Sequence, residues 1–237
     1  MPKTYQRIVV LTGAGISAES GIRTFRDGNG LWENHRVEDV ASPEGFARDP
    51  KLVLDFYNQR RQQLLSGEVH ANAAHEALAK LEREHPTEVL LVTQNVDDLH
   101  ERAGSKNLIH IHGQLLEQRC THCAVVSEIR RDQSRDDRCD ACAASGTMRP
   151  NIVWFGEMPF QMERIEAALQ KCDLFVSVGT SGAVYPAAGF VSLANAAGAD
   201  TVILNLEESD NNAAFDRGFY GQATEVVTAF VEQLLAF

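Results

Sequence analysis

Basic residues are scarce in this chain: 22 Lys and Arg stand against 33 Asp and Glu in 237 residues, a formal net charge of −11. A surface so short of cations does not coat a polyanion, because phosphate binding needs concentrated Lys and Arg, although a local basic pocket stays open. The excess of acid suits solubility and a mild preference for Lys-rich protein partners. Long apolar runs are missing too. The most apolar stretch, 183–199, is broken by Pro186, Gly189, Ser192 and Asn195, so no membrane span is expected. Residues 1–7 lack the apolar core of a secretory signal. Five cysteines, four of them clustered, are too few for a disulfide scaffold, and a cytoplasmic location is the expectation. Neither an internal repeat nor a low-complexity tract is present.

What is there is globular: 44% hydrophobic and 23% charged residues, near the average for folded domains. The length suggests one domain, or one with an insertion, with enough core to fold without a staple. Residues 8–11, 89–93, 174–178 and 201–205 read as buried parallel strands, each ending in polar or glycine residues. Helical stretches over 73–84, 162–171, 187–197 and 225–235 separate or follow them, which predicts a doubly wound α/β core. Two segments break the alternation. One is a charged, mostly helical insert at about 34–72. The other, at about 117–150, is strand-poor and rich in Asp, Arg and Cys.

Cys120-x-x-Cys123 and Cys139-x-x-Cys142, fifteen residues apart, have the spacing of a tetrahedral zinc ribbon. Four thiolates close the coordination sphere, so the metal is expected to be structural. Cys172, alone before an apolar strand, reads as a buried small hydrophobe. Gly13-Ala14-Gly15-Ile16-Ser17-Ala18 follows a strand and fits G-x-G-x-x-G/A. Such glycines let a backbone approach a pyrophosphate at a helix N-terminus, or simply pack helix on strand. Gly179-Thr180-Ser181 and Asn205-Leu206-Glu207 leave other strands at the same sheet edge, where ligands bind. Glu207 could take ribose hydroxyls or be a solvated acid. Gln94-Asn95-Val96-Asp97 could hold a carboxamide and a ribose or water, or cap a helix. His110 and His112 alternate along an extended segment and are ambiguous by themselves.

These motifs, with Ser20-Gly21-Ile22-Arg23, Phe25-Arg26, His112-Gly113 and Val153-Trp154-Phe155-Gly156-Glu157, occur together in the order that resembles a sirtuin, over nearly the whole chain. Tyr57-Asn58-Gln59-Arg60 resembles the Tyr-x-x-Arg pair of the class III, bacterial CobB-type branch. The resemblance implies a single catalytic domain with a Rossmann-like, doubly wound parallel sheet. The large lobe would comprise about 1–33, 73–116 and 151–237. A small lobe would join the helical insert at 34–72 to the zinc ribbon at 117–150.

The activity implied is an NAD-dependent protein-lysine deacylase that consumes NAD. The acyl oxygen would attack the ribose carbon bearing nicotinamide. His112, as base, would then activate a ribose hydroxyl, giving free lysine and O-acyl-ADP-ribose. By the same resemblance, Gly13, Ala14, Gly15, Ser17, Phe25, Arg26, Gly179, Thr180 and Ser181 hold the cofactor, with Asn205, Leu206, Glu207 and Ala223 on its adenosine side. Gln94, Asn95 and Asp97 form the nicotinamide and ribose pocket, the latter two serving catalysis with His112. His110 is structural. Val153, Phe155, Gly156, Glu157 and Val184 edge the peptide groove. Tyr57 and Arg60, one helical turn apart, would read an acidic acyl tail such as succinyl as well as admit acetyl. Small residues such as Ala71 and Ala74 suggest room nearby. The bland alternative has Arg60 and Arg61 solvated and Tyr57 packed on Phe56. The partners implied are acylated lysines of other proteins, without direct nucleic-acid or membrane contact, and a monomer is favoured. Two other readings compete: a nicotinamide-dependent dehydrogenase, and a zinc-ribbon adaptor. The mixed run of Arg130, Arg131, Arg135 and Arg138 with Asp132, Asp136 and Asp137 reads as a solvated face.

Overall fold

A computed structural model describes residues 4–22, 31–32 and 35–236. Six strands form one parallel sheet: β1 (Arg7–Thr12), β4 (Glu88–Thr93), β5 (Leu108–His110), β9 (Leu174–Val178), β10 (Asp200–Asn205) and β11 (Arg217–Tyr220). Their spatial order is β11-β10-β9-β1-β4-β5. The chain thus builds outward from β1 in one direction through β4 and β5, and in the other through β9, β10 and β11. The switch point falls between β1 and β9, where a doubly wound sheet opens its ligand crevice. Strands β5 and β11, each an edge strand, escape the periodicity because they are only three and four residues long.

Alternation along each strand covers both faces. On one face Ile8, Val10, Val89, Leu91, Val176 and Val202 pack under α4 (Ala73–Glu84) and α8 (Ala223–Leu235). On the other, Val9, Leu11, Leu90, Val92 and Phe175 pack under α6 (Met162–Leu169) and α7 (Phe190–Ala196), with the buried Cys172 among them. A strand buried on both faces must be continuously apolar, and that is why these segments are conspicuous in the sequence.

The insert holds a short ribbon of β2 (Leu31–Trp32) and β3 (His35–Arg36), then α1 (Val37–Val40), α2 (Pro43–Arg48) and α3 (Pro50–Leu65). Asp49 caps α3 by accepting from Leu52 N at 3.0 Å, with Pro50 in the first turn. The segment expected to be strand-poor instead carries an antiparallel sheet of β6 (Gly113–Cys120), β7 (Val126–Glu128) and β8 (Met148–Ile152), in order β7-β6-β8. Its strands are short or polar because the metal-type turns and one buried face replace a long apolar pattern. β6 and β8 run across the boundaries expected near 116 and 150. Val53, Phe56, Tyr57 and Leu64 of α3 pack against Leu115, Leu116, Ile152 and Trp154 in a third core.

Arg61 is part of that junction and is not solvated: it is 1% exposed. Its Nε donates to Leu115 O at 2.9 Å and its Nη1 to Asn58 Oδ1 at 2.8 Å, while Asn58 Nδ2 donates to Gln133 O. In the mixed run, Arg131 is exposed and pairs with Asp137 at 2.9 Å. Among the described residues no helix is long and apolar enough to cross a membrane.

Candidate active site

The carboxyl ends of β1, β4, β9 and β10 open into one cavity of about 1080 Å³, just above the usual range for ligand pockets. Gly13, Ala14 and Gly15 line it, and so do Gly179, Thr180 and Ser181, then Asn205, Leu206, Glu207 and Ala223. The glycines are needed here for a close crossing of backbones. A Cβ on Gly15 would sit 2.6 Å from Gly179 Cα, and Gly179 itself has φ +62°. Gly13 N and Gly15 N already donate to Val178 O and Gly179 O at 2.9 Å. These two amides are therefore committed to the fold, and the turn leads into a 3-10 helix, Ala14–Ser20, rather than an α-helix. The glycines thus serve close packing of the turn on β9, one of the two readings of the motif.

Ser17 also differs from expectation. It is fully buried and does not line the cavity. Its hydroxyl donates to Asp97 Oδ2 at 3.2 Å and accepts from Asn95 Nδ2 at 3.1 Å, so it orients the strand-end groups from beneath. Phe25 and Arg26 lie outside the described residues.

Gln94, Asn95, Asp97 and His112 line the same cavity beside the glycine turn. Asn95 N donates to Thr93 Oγ1 at 3.0 Å, and Asp97 Oδ1 accepts from Leu99 N at 3.1 Å. Burial pushes the Asp97 carboxyl up to about 6, although the Leu99 and Ser17 hydrogen bonds pull the other way.

The two histidines separate cleanly on their partners. His112 Nδ1 lies 3.1 Å from Gln94 O. A carbonyl only accepts, so Nδ1 carries the proton and Nε2 keeps the basic lone pair. Burial holds this imidazole below its ordinary value, partly offset by the Gln94 bond, so it is neutral at pH 7. His110 contacts Asn95 O at 3.1 Å and Glu101 Oε1 at 2.7 Å. Both acceptors call for N–H donors. Burial alone pulls His110 down, but the Glu101 carboxylate and Asn95 carbonyl raise it above its usual value. His110 is a clamp on the loop, and His112 is equipped to accept a proton. Gly113, next to His112, has φ +80°, and a Cβ there would fall 1.9 Å from Asn151 O. Only glycine lets β6 leave the histidine at this angle.

Across the cleft, Val153, Phe155, Gly156, Glu157 and Val184 line the cavity wall, with Tyr57 and Arg60 deeper on α3. Arg60 Nη1 donates to Phe56 O at 2.7 Å, and its guanidinium stacks over the Phe56 ring at 3.8 Å. Tyr57 is fully buried and packs edge-on against Phe56, as the bland alternative has it, and it also contributes to the lining of the cavity. Ala71 and Ala74 provide no room there: Ala74 belongs to the core under the large sheet, and neither lines the cavity. Ala41, in the same core cluster as Tyr57, is a small residue that does line the cavity. Glu157 is a wall residue whose carboxylate is occupied. Oε1 accepts from Arg149 at 2.7 Å and Arg119 at 2.9 Å, and Oε2 accepts from Arg149 at 3.0 Å and Trp154 N at 2.9 Å.

Two buried histidines carried no sequence signal of a site. His75, on α4, reaches Ser17 Oγ at 3.4 Å, and His100 reaches Thr12 Oγ1 at 2.9 Å. Their rings lie 4.9 Å apart, and burial lowers His75 to about 4 and His100 well below its usual value. A lone helical histidine looks the same in sequence whether solvated or buried.

The four cysteines gather at the far end of the ribbon, with their sulfurs all within 4.8 Å of one another. Cys120 and Cys142 are 3.8 Å apart, and Cys123 and Cys139 are 3.6 Å apart. A tetrahedron with Zn–S bonds of about 2.3 Å has edges of about 3.8 Å, so the donor set fits zinc. Two matching turns build it. Ala124 and Ala143, each following a Cys-x-x-Cys, both have φ +60°, and their amides return to Cys120 O and Cys139 O. None of these cysteines lines the cleft.

Fold and site together define an α/β protein with a nucleotide-type crevice, a neutral histidine within it and a four-cysteine metal ribbon beside it. The Sir2 family profile matches residues 13–186. A curated relative from Pasteurella multocida, "NAD-dependent protein deacylase", is 59% identical over 229 residues, covering 97% of this chain and 98% of its own length. Another of that name from Vibrio cholerae is 56% identical, covering 100% and 96%. Among solved structures, a Sir2 homologue–NAD complex is 39% identical with a TM-score of 0.88, covering 97% and 90%. A Sir2 protein bound to acetylated peptide is 30% identical with a TM-score of 0.80, covering 97% and 93%. The chain belongs to the Sir2 family.

Proposed function

We propose that this protein removes both acetyl and succinyl groups from protein lysines, with Tyr57 and Arg60 receiving the succinyl carboxylate. The chain is an NAD-dependent protein deacylase, and the wider reading assigns roles to its own residues. The observation that carries it is a single cavity shared by the strand-end polar groups, a neutral His112, and the Tyr57–Arg60 pair. A dehydrogenase has no use for that last pair, and a zinc-ribbon adaptor has none for the cleft.

NAD, consumed as co-substrate, supplies an electrophilic ribose carbon and the hydroxyl that takes the acyl group. Gly13–Gly15, Thr180, Ser181, Asn205, Glu207 and Ala223 bind and orient it. Gln94, Asn95 and Asp97 face the nicotinamide ribose. His112 Nε2 accepts a ribose hydroxyl proton, which its neutral form permits. Val153, Phe155, Gly156 and Val184 offer the two edges between which an acyl-lysine peptide lies extended. Main-chain bonding of that kind tolerates varied peptide sequences. Glu157 supports this wall through its arginines rather than touching the peptide. Arg60 offers a guanidinium fork and Tyr57 a phenol hydroxyl to a carboxylate tail. Zinc, held by the four cysteines, supports the ribbon and takes no part in the chemistry. The lobe division near 34–72 and 117–150, a cytoplasmic location and a monomeric state belong to the same proposal.

Mass spectrometry of products from NAD and matched acetyl-lysine and succinyl-lysine peptides tests the proposal. Free nicotinamide and O-acyl-ADP-ribose should form from both. Reduced-cofactor absorbance without nicotinamide would mean a dehydrogenase, and turnover of acetyl peptide alone would remove the acidic-tail assignment.

A further inference from the structure

The geometry points to Trp154 as a positioning residue that orients the Tyr57 hydroxyl toward an acidic acyl tail, an inference that rests on the acyl-pocket reading above. Trp154 is 2% exposed, and its Nε1 donates to Tyr57 Oη at 2.9 Å. An indole N–H can only donate, so the phenol oxygen accepts in this bond. A phenol hydroxyl lies near its ring plane and has two in-plane places, one for the hydrogen and one for an acceptor lone pair. With the indole holding one, the hydrogen is turned to the other. Accepting a bond also polarises the O–H and makes it a better donor.

That direction matters for one class of tail. A carboxylate offers acceptors only, so a Tyr57 hydroxyl turned to accept would repel it. Burial pushes the Tyr57 phenol up, which keeps the hydroxyl a donor throughout the working pH range. An acetyl methyl asks nothing of it. The indole is itself held firmly. Arg149 stacks its guanidinium over the ring at 3.3 Å, the Phe46 ring lies 5.2 Å away, and Trp154 N is bonded to Glu157. Arg149 and Arg119, which grip Glu157, stand on β8 and β6. The orientation of the acyl pocket is therefore anchored in the sheet that carries the zinc ribbon.

The test compares kcat/KM for succinyl-lysine and acetyl-lysine forms of one peptide, taken as a ratio within each zinc-loaded preparation so that any unfolded fraction cancels. Trp154→Phe, which keeps a ring but removes the N–H, should lower the succinyl-to-acetyl ratio roughly three- to tenfold, the worth of one neutral hydrogen bond. In a Tyr57→Phe background the same substitution should change the ratio no further, since the hydroxyl it positions is gone. If Trp154→Phe does not fold, replacing Trp154 by benzothienylalanine, with sulfur in place of N–H, makes the same comparison. An equal fall for both substrates, or a full effect persisting without the Tyr57 hydroxyl, would make Trp154 merely structural and overturn the proposal. A ratio that responds to Arg60→Met and Tyr57→Phe but not to Trp154→Phe overturns this inference alone. A ratio that responds to none of the three overturns the acidic-tail reading and this inference with it.

Discussion

Replacing Arg149 with methionine is the most direct probe of how the cleft wall is held. The Arg149 side chain is 6% exposed and that of Glu157 is 21% exposed. The guanidinium makes two bonds to Glu157, one to Ile152 O at 2.9 Å, and a stacking contact over Trp154. Methionine preserves the aliphatic stem and removes every polar contact. It leaves Glu157 with Arg119 and the Trp154 amide. Breaking a buried pair from one side typically costs 3–5 kcal/mol, and the partial exposure of Glu157 argues for the low end, about 3 kcal/mol. At roughly 2–4 °C per kcal/mol for a chain of this size, Tm should fall by about 6–12 °C. The Arg149→Met, Glu157→Gln double variant should lose clearly less than the summed single losses, because the stranded carboxylate is gone.

The sign of the pH dependence follows from Glu157. Burial alone would raise its carboxyl, but Arg149, the Trp154 amide and Arg119 together hold it below its ordinary value. A depressed acid contributes stability that is full above its unfolded pKa, about 4.3, and is lost as pH falls through the lower folded value. The gap between wild type and Arg149→Met should therefore be widest near neutrality and narrow below about pH 4. Urea unfolding at pH 7 and at about pH 3 measures both quantities. A single-variant cost under about 1 kcal/mol, or strict additivity in the double variant, would refute the reasoning.

His112→Ala should abolish deacylation while cofactor affinity changes little, since the base acts late; steady-state turnover and NAD binding by calorimetry report the two separately. His110→Ala should mainly loosen the loop, and near-normal turnover in His112→Ala with an inactive His110→Ala would reverse the assignment. Because burial lowers His112 from 6.5 and a base works unprotonated, the acid limb of kcat/KM should lie below pH 6.5. Asp97, titrating at about 6, is expected to contribute to the same limb. Cys139→Ser should lose the metal and soften the ribbon, checked by elemental analysis and proteolysis; a zinc-free wild type would sink the idea. Arg60→Met should reduce desuccinylation at least about tenfold more than deacetylation, the value of a charge-assisted bond. Equal losses would mean that Arg60 supports only the fold.

The elements whose chemistry is local were legible in the sequence. Strands β1, β4, β9 and β10 are buried on both faces and so advertise themselves as unbroken apolar runs. The paired Cys-x-x-Cys turns announce a metal because ligand spacing is set by the turn itself. The Gln94–Asp97 motif was visible because strand ends of one parallel sheet share an edge, whereas His112-Gly113 gained its meaning only from the resemblance of the whole series of motifs. What depended on distant partners was not visible. Whether His110 or His112 is the neutral one follows from Glu101 and Gln94, which the fold alone brings to their rings. The commitment of Gly13 and Gly15 amides to β9 and its following turn, and the burial of Ser17 beneath Asp97, arise from contacts between segments 80 or more residues apart. Arg61 looked like any solvated helical arginine until Leu115 and Asn58 enclosed it. Glu157 lines the groove wall, but only the fold shows that two arginines from neighbouring strands hold its carboxylate. The sequence by itself determined which groups this protein possesses and at which sheet edge they gather. Tertiary structure decided which of them carry protons and which are consumed in holding the others, because burial and partner geometry set charge and direction, and neither is a local property.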